Sequence, residues 1–440
     1  MKKILFVISP GVGMMDNLLN LTVKIKSTSN FQLIALFLNI KVFLNTFEIY
    51  PHKYFNEIIL KLDKDNFYLV NFLKFKYFGN ILNKSLFFSF LQIMYLFTKL
   101  NLFLKLREKY FCYRLKNIIK REFNIIDKIK FFNKIKLVIY DCTEERKEYF
   151  NEITKLIEIK KKISIYHGSL FPELLKKTVN LKKKSEKYNI YNLNIICFSK
   201  KKSERDYYES FLNINNIKFY KYGNPKHSLR HKKISFCQNK KNVILISRHA
   251  DPKYFPIKQK IYFLKIIRKI ILEKLNLNLI VKLHPKENEY ISINLYKKTL
   301  GSDYFKKKWN FTKGNPMIEK NNCLFGITFY SGISVDWSSL GFPSIELNNL
   351  RNIDKKILPD FCYYHKNKIL FGTTLNRFSM NARNENELLK ISKELIHKNY
   401  LYQTKFKKNY NSLCPNQSQN INKIKSLIDR SLLSKRPAKF

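Results

Sequence analysis

The run VKLHPKE, Val281 to Glu287, carries an apolar strand straight into His284 and Pro285. Proline removes a backbone donor and fixes φ, so it ends the ladder and leaves the histidine at the strand's carboxyl end. An imidazole held there, with Lys282 or Lys286 beside it, is suited to meet a phosphate. A histidine after a strand is also a common structural feature, and this run alone carries both readings. Ser331 follows His284 by 47 positions, within FGITFYSGISVDWSSLGFPSIEL. There an apolar strand ends at Tyr330, Ser331 and Gly332 open a helix, and the helix stops before Gly341 and Pro343. The first N–H groups of a helix lack intrahelical partners and sit at the positive end of its dipole, so Ser331, Gly332 and Ser334 are candidates to cradle a phosphate. Plain N-capping by Ser331 is the competing reading. Asp336, one turn in, is placed to accept hydrogen bonds from a ribose or sugar hydroxyl.

Nearer the N-terminus, KLVIYDCTEERK puts Asp141 at a strand end with Glu144 close behind. A carboxylate facing a ligand crevice can take the proton of an attacking hydroxyl, and capping the next helix is its structural alternative. KKISIYHGSLFPE places His167 and Gly168 at another strand end, which makes His167 a rival base. SPGVGMMD offers Gly11, Gly13 and Asp16 as a weak glycine loop, compatible with ligand approach and diagnostic of nothing by itself. SRHADPKYFP sets Ser247, Arg248 and His249 after a further strand.

KLHP, followed by a serine-bearing turn, a helix with an acidic residue and LGFP, resembles the HP and SS motifs of bacterial capsule and surface-polysaccharide glycosyltransferases. Those include polysialyltransferase-like, sialyltransferase-like and Kdo-transferase enzymes, and the CDP-glycerol glycerophosphotransferases share the pattern. The resemblance spans mainly Asn242 to Leu350. It implies that His284, with Pro285, and the motif hydroxyls hold the phosphate of a donor nucleotide. Register from LGFP back to the strand sets the motif serines on Ser331 and Gly332 and its acidic residue on Asp336, so one hydroxyl is missing and Ser334 is its substitute. Ser338 and Ser339, although adjacent, fall at the far end of the helix and are not the motif. Asp141 is similar to the acidic base of bacterial sialyltransferases, and His167-Gly168 to the HG turn of the glycerophosphotransferases. Ser247 and Arg248 take the place where GT-B enzymes contact donor phosphate.

These residues need strand ends to hold them. KKILFVIS, FQLIALFL, KLVIYD, KKISIYHG and NIICFS read as strands among longer mixed segments, the pattern of a parallel sheet covered by helices. YGNPKHSLRHKKISFCQNKKN, with Gly223, Pro225 and a dense basic run, reads as a linker. Alternation restarts with strands at NVILISRH, LNLIVKLHP, CLFGITFYS and FPSIEL. Helices are expected at 261–275, 333–340 and 385–399, and a basic helical stretch continues to about Leu433. The expected architecture is α/β of the GT-B type, two Rossmann-like domains with parallel sheets facing a central cleft. Residues 1–222 form the acceptor-side domain, 223–241 the linker, and 242–440 the nucleotide-sugar domain with C-terminal helices.

The 440 residues, 45% of them hydrophobic, are enough for two cores. A net charge of +50, from 83 Lys and Arg against 33 Asp and Glu, reflects a Lys-, Asn-, Ile- and Phe-rich composition and also favours anionic partners. The basic residues are spread along the chain without a nucleic-acid module, so no specific nucleic acid is expected as a partner. Seven cysteines without a CxxC pair fit a reducing compartment and no metal site. The uncharged run Ser85–Thr98 is shorter than the roughly 18 residues a spanning helix needs, leaving a buried helix or an interfacial one. The N-terminal MKKILFVIS lacks a cleavage site and reads as a strand, so a cytoplasmic protein is expected, with peripheral contact to an anionic inner membrane.

The combined expectation is an inverting, metal-independent and cofactor-free glycosyltransferase. It would move a sugar, a CMP-activated acidic one by resemblance, from a nucleotide-sugar donor to a glycan or lipid-linked acceptor. A CDP-glycerol or CDP-ribitol polyol-phosphate transferase, a UDP-GlcNAc 2-epimerase-like isomerase and a basic nucleic-acid-binding protein are the alternatives, in that order.

Overall fold

The computed structural model describes residues 3–8, 21, 24–25, 32–37, 135–142, 161–166, 188–189, 193–210, 212–213, 217–228, 240–252, 254–284, 287, 289–312, 316–350, 362–365, 368–415 and 417–433. The first half contributes β1 (Lys3–Ile8), β2 (Gln32–Phe37), β3 (Ile135–Tyr140), β4 (Lys162–Ile165), β5 (Tyr188–Asn189), β6 (Leu193–Ile196), helix α1 (Lys202–Glu209), β7 (Leu212–Asn213) and β8 (Ile217–Tyr220). Six of these strands form one parallel sheet in the order β2-β1-β3-β4-β6-β8, and β5 pairs with β7. Strands buried on both faces need continuous apolar sequence. IKLVIY of β3 supplies it, with Leu137, Val138, Ile139 and Tyr140 all buried, and β1 and β2 are built from the similar runs KILFVI and QLIALF.

The second half comprises β9 (Asn242–Ile246), α2 (Ile257–Ile267), β10 (Asn278–Lys282), α3 (Glu289–Leu300), β11 (Trp309–Phe311), β12 (Cys323–Thr328), α4 (Ile333–Ser339) and β13 (Ser344–Leu347). The hairpin β14 (Cys362–His365) and β15 (Lys368–Phe371), then β16 (Met380–Ala382), α5 (Glu385–His397), α6 (Asn399–Leu413) and α7 (Gln417–Leu433), complete it. Its parallel sheet runs β11-β10-β9-β12-β13-β16, the Rossmann order. All nine strands expected from sequence are present. The expected helix at 261 begins earlier, directly after Pro256, because its polar first turn hides the start. It then continues through Arg268–Lys274 as π-helical turns.

One core gathers Val243, Leu245, Phe263, Ile267, Leu279, Phe325 and Ile345 around the second sheet. Another joins Ile4, Leu137, Ile139 and Ile163 of the first sheet to Ile424, Leu427, Ile428 and Leu432 of α7. The C-terminal helix therefore packs on the first half, whereas sequence order alone groups it with the second. Between the sheets, Pro225–Ser228 forms a 3-10 turn within the expected linker. The Ser85–Thr98 run lies outside the described residues, and no helix among the described residues is long and apolar enough to cross a membrane.

Candidate functional site

The three neighbouring strands β10, β9 and β12 run parallel, with Lys282, Ile246 and Thr328 aligned across them. Their chains leave the sheet at one edge: Leu283–His284 after β10, Ser247–His249 after β9, and Phe329–Gly332 after β12. β9 opens the half and has later strands on both sides, so this edge is the topological switch point, where open α/β sheets bind ligands. The fold thus brings His284, His249 and Ser331 to one place.

A buried ion pair ties the first two loops together. Lys260 of α2 donates to the Arg248 carbonyl at 3.0 Å and pairs with Glu287. The other Glu287 oxygen accepts the His284 backbone N–H at 2.8 Å, and the Glu287 N–H returns to the His284 carbonyl at 2.9 Å. Burial lowers the Lys260 pKa against the pull of Glu287. Because both side chains are removed from water, losing either partner strands a charge. The chain of contacts fixes the two histidine loops against each other, with ring centroids of His249 and His284 5.2 Å apart.

The third loop is held from two sides. Tyr330 has φ of +48°, a conformation bulky residues rarely adopt. Arg248 donates through one Nη to the Tyr330 carbonyl and through the other to the Tyr254 hydroxyl at 2.6 Å. Glu346 of β13, fully buried, accepts the Tyr330 and Ser331 N–H groups and the Thr328 hydroxyl, the last at 2.6 Å. Burial pushes its pKa up to about 8 against these hydrogen bonds.

Several expected roles change on this framework. Arg248 is a strut between loops, with both Nη groups bonded inside the protein, and not simply an open phosphate ligand. Ser247 is buried and its Oγ accepts the Tyr296 hydroxyl at 2.5 Å, which takes it away from a ligand. Ser334 is buried as well, its Oγ 3.4 Å from Thr328 Oγ1, so it does not replace the missing motif hydroxyl. Asp336 bonds His227 Nε2 at 2.6 Å and Lys226 at 2.9 Å, both from the Pro225–Ser228 turn, and is an anchor between that turn and α4 where a ribose contact was expected. For Ser334 and Asp336 the reason is that the helix face pointing at the sheet or at the Pro225–Ser228 turn is not the face pointing at the crevice, and Ser247 and Arg248 are drawn inward from their loop by Tyr296, Tyr330 and Tyr254.

Lys282 is half-buried at the last position of β10, and His284 is half-buried beyond it. Ser331 Oγ accepts the Ile333 N–H at 3.3 Å from one position before the N-cap of α4, which is Gly332 and carries no side-chain cap. Gly332 is exposed, and a Cβ there would meet nothing within 4 Å. Ser338 and Ser339 bond the carbonyls of Phe406 and Asp336, roles consistent with their exclusion from the motif. Asp141 ends β3 and is only 2% exposed. His167, Gly168, Gly11, Gly13, Asp16, Glu144, Pro285 and Lys286 lie outside the described residues. Among the described residues no group of three His, Cys, Asp or Glu is arranged to hold a metal, and the five described cysteines are buried.

Lys260, Glu287 and Glu346 escaped the sequence reading, yet each left a trace. Lys260 interrupts the apolar face it shares with Phe263, Leu264 and Ile267. Glu287 stands three residues after His284, the spacing at which a carboxylate reaches back to a backbone N–H. Glu346 is an ionisable residue inside the otherwise non-ionisable buried strand SIEL.

No protein-family model matches the chain, and no curated protein matches it. Among solved structures it is similar to S. aureus MnaA in its co-structure with UDP, at 13% identity and TM-score 0.51 over 100% of both chains. It is also similar to a Listeria monocytogenes protein assigned as a UDP-N-acetylglucosamine 2-epimerase, at 11% identity and TM-score 0.52, over 100% of this chain and 99% of that one. Phytolacca americana UGT2, complexed with UDP-2-fluoro-glucose and pterostilbene, aligns at 10% identity and TM-score 0.51 over 99% and 100% of the two chains. At such identities the likeness is one of fold, and with the two parallel sheets it establishes that this chain has the GT-B architecture.

Proposed function

We propose that the protein is a glycosyltransferase acting on a nucleotide-activated sugar. The observation that carries this reading is the convergence of His284, His249 and the Ser331 turn at the switch point of the second sheet. Imidazole N–H groups and the Ser331 hydroxyl are donors suited to the phosphate of a departing nucleotide, and donors fixed in advance need no reorganisation during reaction. Lys282 adds positive charge beside them.

The reaction is a direct displacement with inversion. The acceptor hydroxyl gives its proton to His167, Asp141 being only 2% exposed, its oxygen bonds the anomeric carbon, and the bond from that carbon to the donor phosphate breaks. The nucleotide leaves with the electron pair, stabilised by His284 and Ser331. No step requires a metal, and the donor is a cytidine nucleotide carrying an acidic sugar, a choice that rests on the motif resemblance. The acceptor is a surface-glycan or lipid-linked hydroxyl, reached at an anionic membrane face that the +50 charge favours.

Thermal shift with CMP, CDP, UMP, UDP and GDP tests the reading on wild type and His284→Ala. A nucleotide at one hundred times its Kd raises stability by about 2.7 kcal/mol. One cytidine nucleotide should give this protection, and His284→Ala should remove most of it. Protection confined to UDP would replace the cytidine donor by a uridine one. Protection by none, with salt-sensitive nucleic-acid binding in its place, would overturn the proposal.

A further inference from the structure

We propose that Glu346 is a positioning residue for the donor-phosphate turn: its carboxyl group gathers the Tyr330 and Ser331 N–H groups and the Thr328 hydroxyl, and so fixes the direction of the Ser331 side chain. The proposal deepens the transferase reading and rests on it.

Packing does not require a carboxyl at this position. β13 is buried along its whole length, and Ser344, Ile345 and Leu347 fill its other places without charge. An ionisable group at zero exposure is costly unless hydrogen bonds compensate it. Glu346 has that compensation from the end of β12, through the Thr328 hydroxyl, and from the turn that follows, through the Tyr330 N–H. The turn in its grip includes the left-handed Tyr330, a strained conformation that persists only where its surroundings over-determine it. Glu346 bonds the N–H side of Tyr330 and Arg248 the carbonyl side, so the residue is clamped at both ends. The next residue is Ser331, whose hydroxyl faces a helix start with open space above Gly332.

The carboxyl also has a charge to report. The ionisable groups around it are Arg248 from the loop after β9 and Tyr330 itself, with Tyr254 and Cys362 beyond Tyr330. Burial raises Glu346 to about 8, so the group is largely neutral at pH 7 and ionises just above. In the neutral form one oxygen still accepts the N–H groups while the other shares a proton with Thr328. Ionisation adds a negative charge beneath a site for a phosphate, which opposes binding. This window lies above the ordinary histidine range.

The test is the Kd of the protecting nucleotide from pH 7 to 9 for wild type, Glu346→Gln and Glu346→Met, with folding checked by circular dichroism and Tm. Glu346→Met removes every acceptor and should weaken binding about tenfold, the worth of one lost buried hydrogen bond. Glu346→Gln keeps an acceptor oxygen and should restore most of that loss. Wild-type affinity should fall as pH rises through about 8, and the Gln variant should stay flat. If wild type binds but Met binds equally well, or Gln keeps the same pH step, the role of Glu346 is refuted and the transferase reading stands. If wild type binds no nucleotide, both fall together.

Discussion

At the scale of single residues, His284 owes its position to groups that touch no ligand. Its backbone is pinned by Glu287, Glu287 by Lys260, and Lys260 by the Arg248 carbonyl, so one buried pair sets two loops. Gly332 is the opposite case, a position under no visible constraint. Its φ of −68° suits any residue, and no atom crowds the place of a Cβ. Gly332→Ser should therefore change stability by no more than about 0.5 kcal/mol. It adds the second hydroxyl that the resemblance to the SS motif implies, so on the proposed function nucleotide affinity should hold or improve. Calorimetric titration checks this, and a marked loss of affinity would show that Gly332 is needed bare, for close approach of the ligand backbone.

Elements hold the site through packing as much as through hydrogen bonds. α4 lies tight on β12 because Gly326 has no side chain: a Cβ there would stand 2.1 Å from the Trp337 ring. Trp337 in turn packs on Phe342 and donates to the Pro316 carbonyl at 3.3 Å, so it has no room to withdraw. Gly326→Ala should cost about 1–3 kcal/mol by overpacking, and should displace α4 and the Ser331 turn with it. Denaturant midpoints measure the first effect and nucleotide Kd the second. Equal stability of wild type and variant would mean that α4 slides freely on the sheet. Glu204 of α1 repeats the Glu346 device in the first half, accepting the Phe198 and Ser199 N–H groups at 2.7 and 2.6 Å. Burial raises its pKa to about 7.

For the whole molecule, the informative contacts are those that cross between the halves. α7 returns to the first sheet, the loop after β6 places Phe198 against Val335 and Tyr410, and the Pro225–Ser228 turn anchors in Asp336. His227 bridges Asp336 through Nε2 and the Tyr410 hydroxyl through Nδ1, both at 2.6 Å. A neutral imidazole satisfies both, donating to the carboxylate and accepting from the phenol. Burial lowers the His227 pKa below 6.5 despite the pull of Asp336. Burial alone would raise Asp336, but the Lys226 charge and the His227 hydrogen bond outweigh it and hold the group below 3.8. Both shifts have the same consequence. The unfolded chain binds protons that the native state refuses, so stability present at neutral pH declines as pH falls through 6.5, and declines again as Asp336 protonates. Tm against pH should show the first decline in wild type and a smaller one in His227→Gln, which cannot titrate. Identical curves would remove His227 from the acid response.

The sequence by itself determined the strands and the presence of His284 and Ser331 just beyond strand ends. Apolar runs such as NVILI and a proline after a histidine act locally, through burial and φ, without help from distant residues. Direction of side chains was another matter. Ser334 and Asp336 sit in the same short helix as the site, but they point to Thr328 and to a turn 109 residues away. Glu346 reaches Tyr330 across 16 residues, and α7 crosses to the first sheet. Only the tertiary structure decided these, because a buried polar group takes its partner from whatever the fold sets beside it, and sequence spacing carries no record of that neighbour.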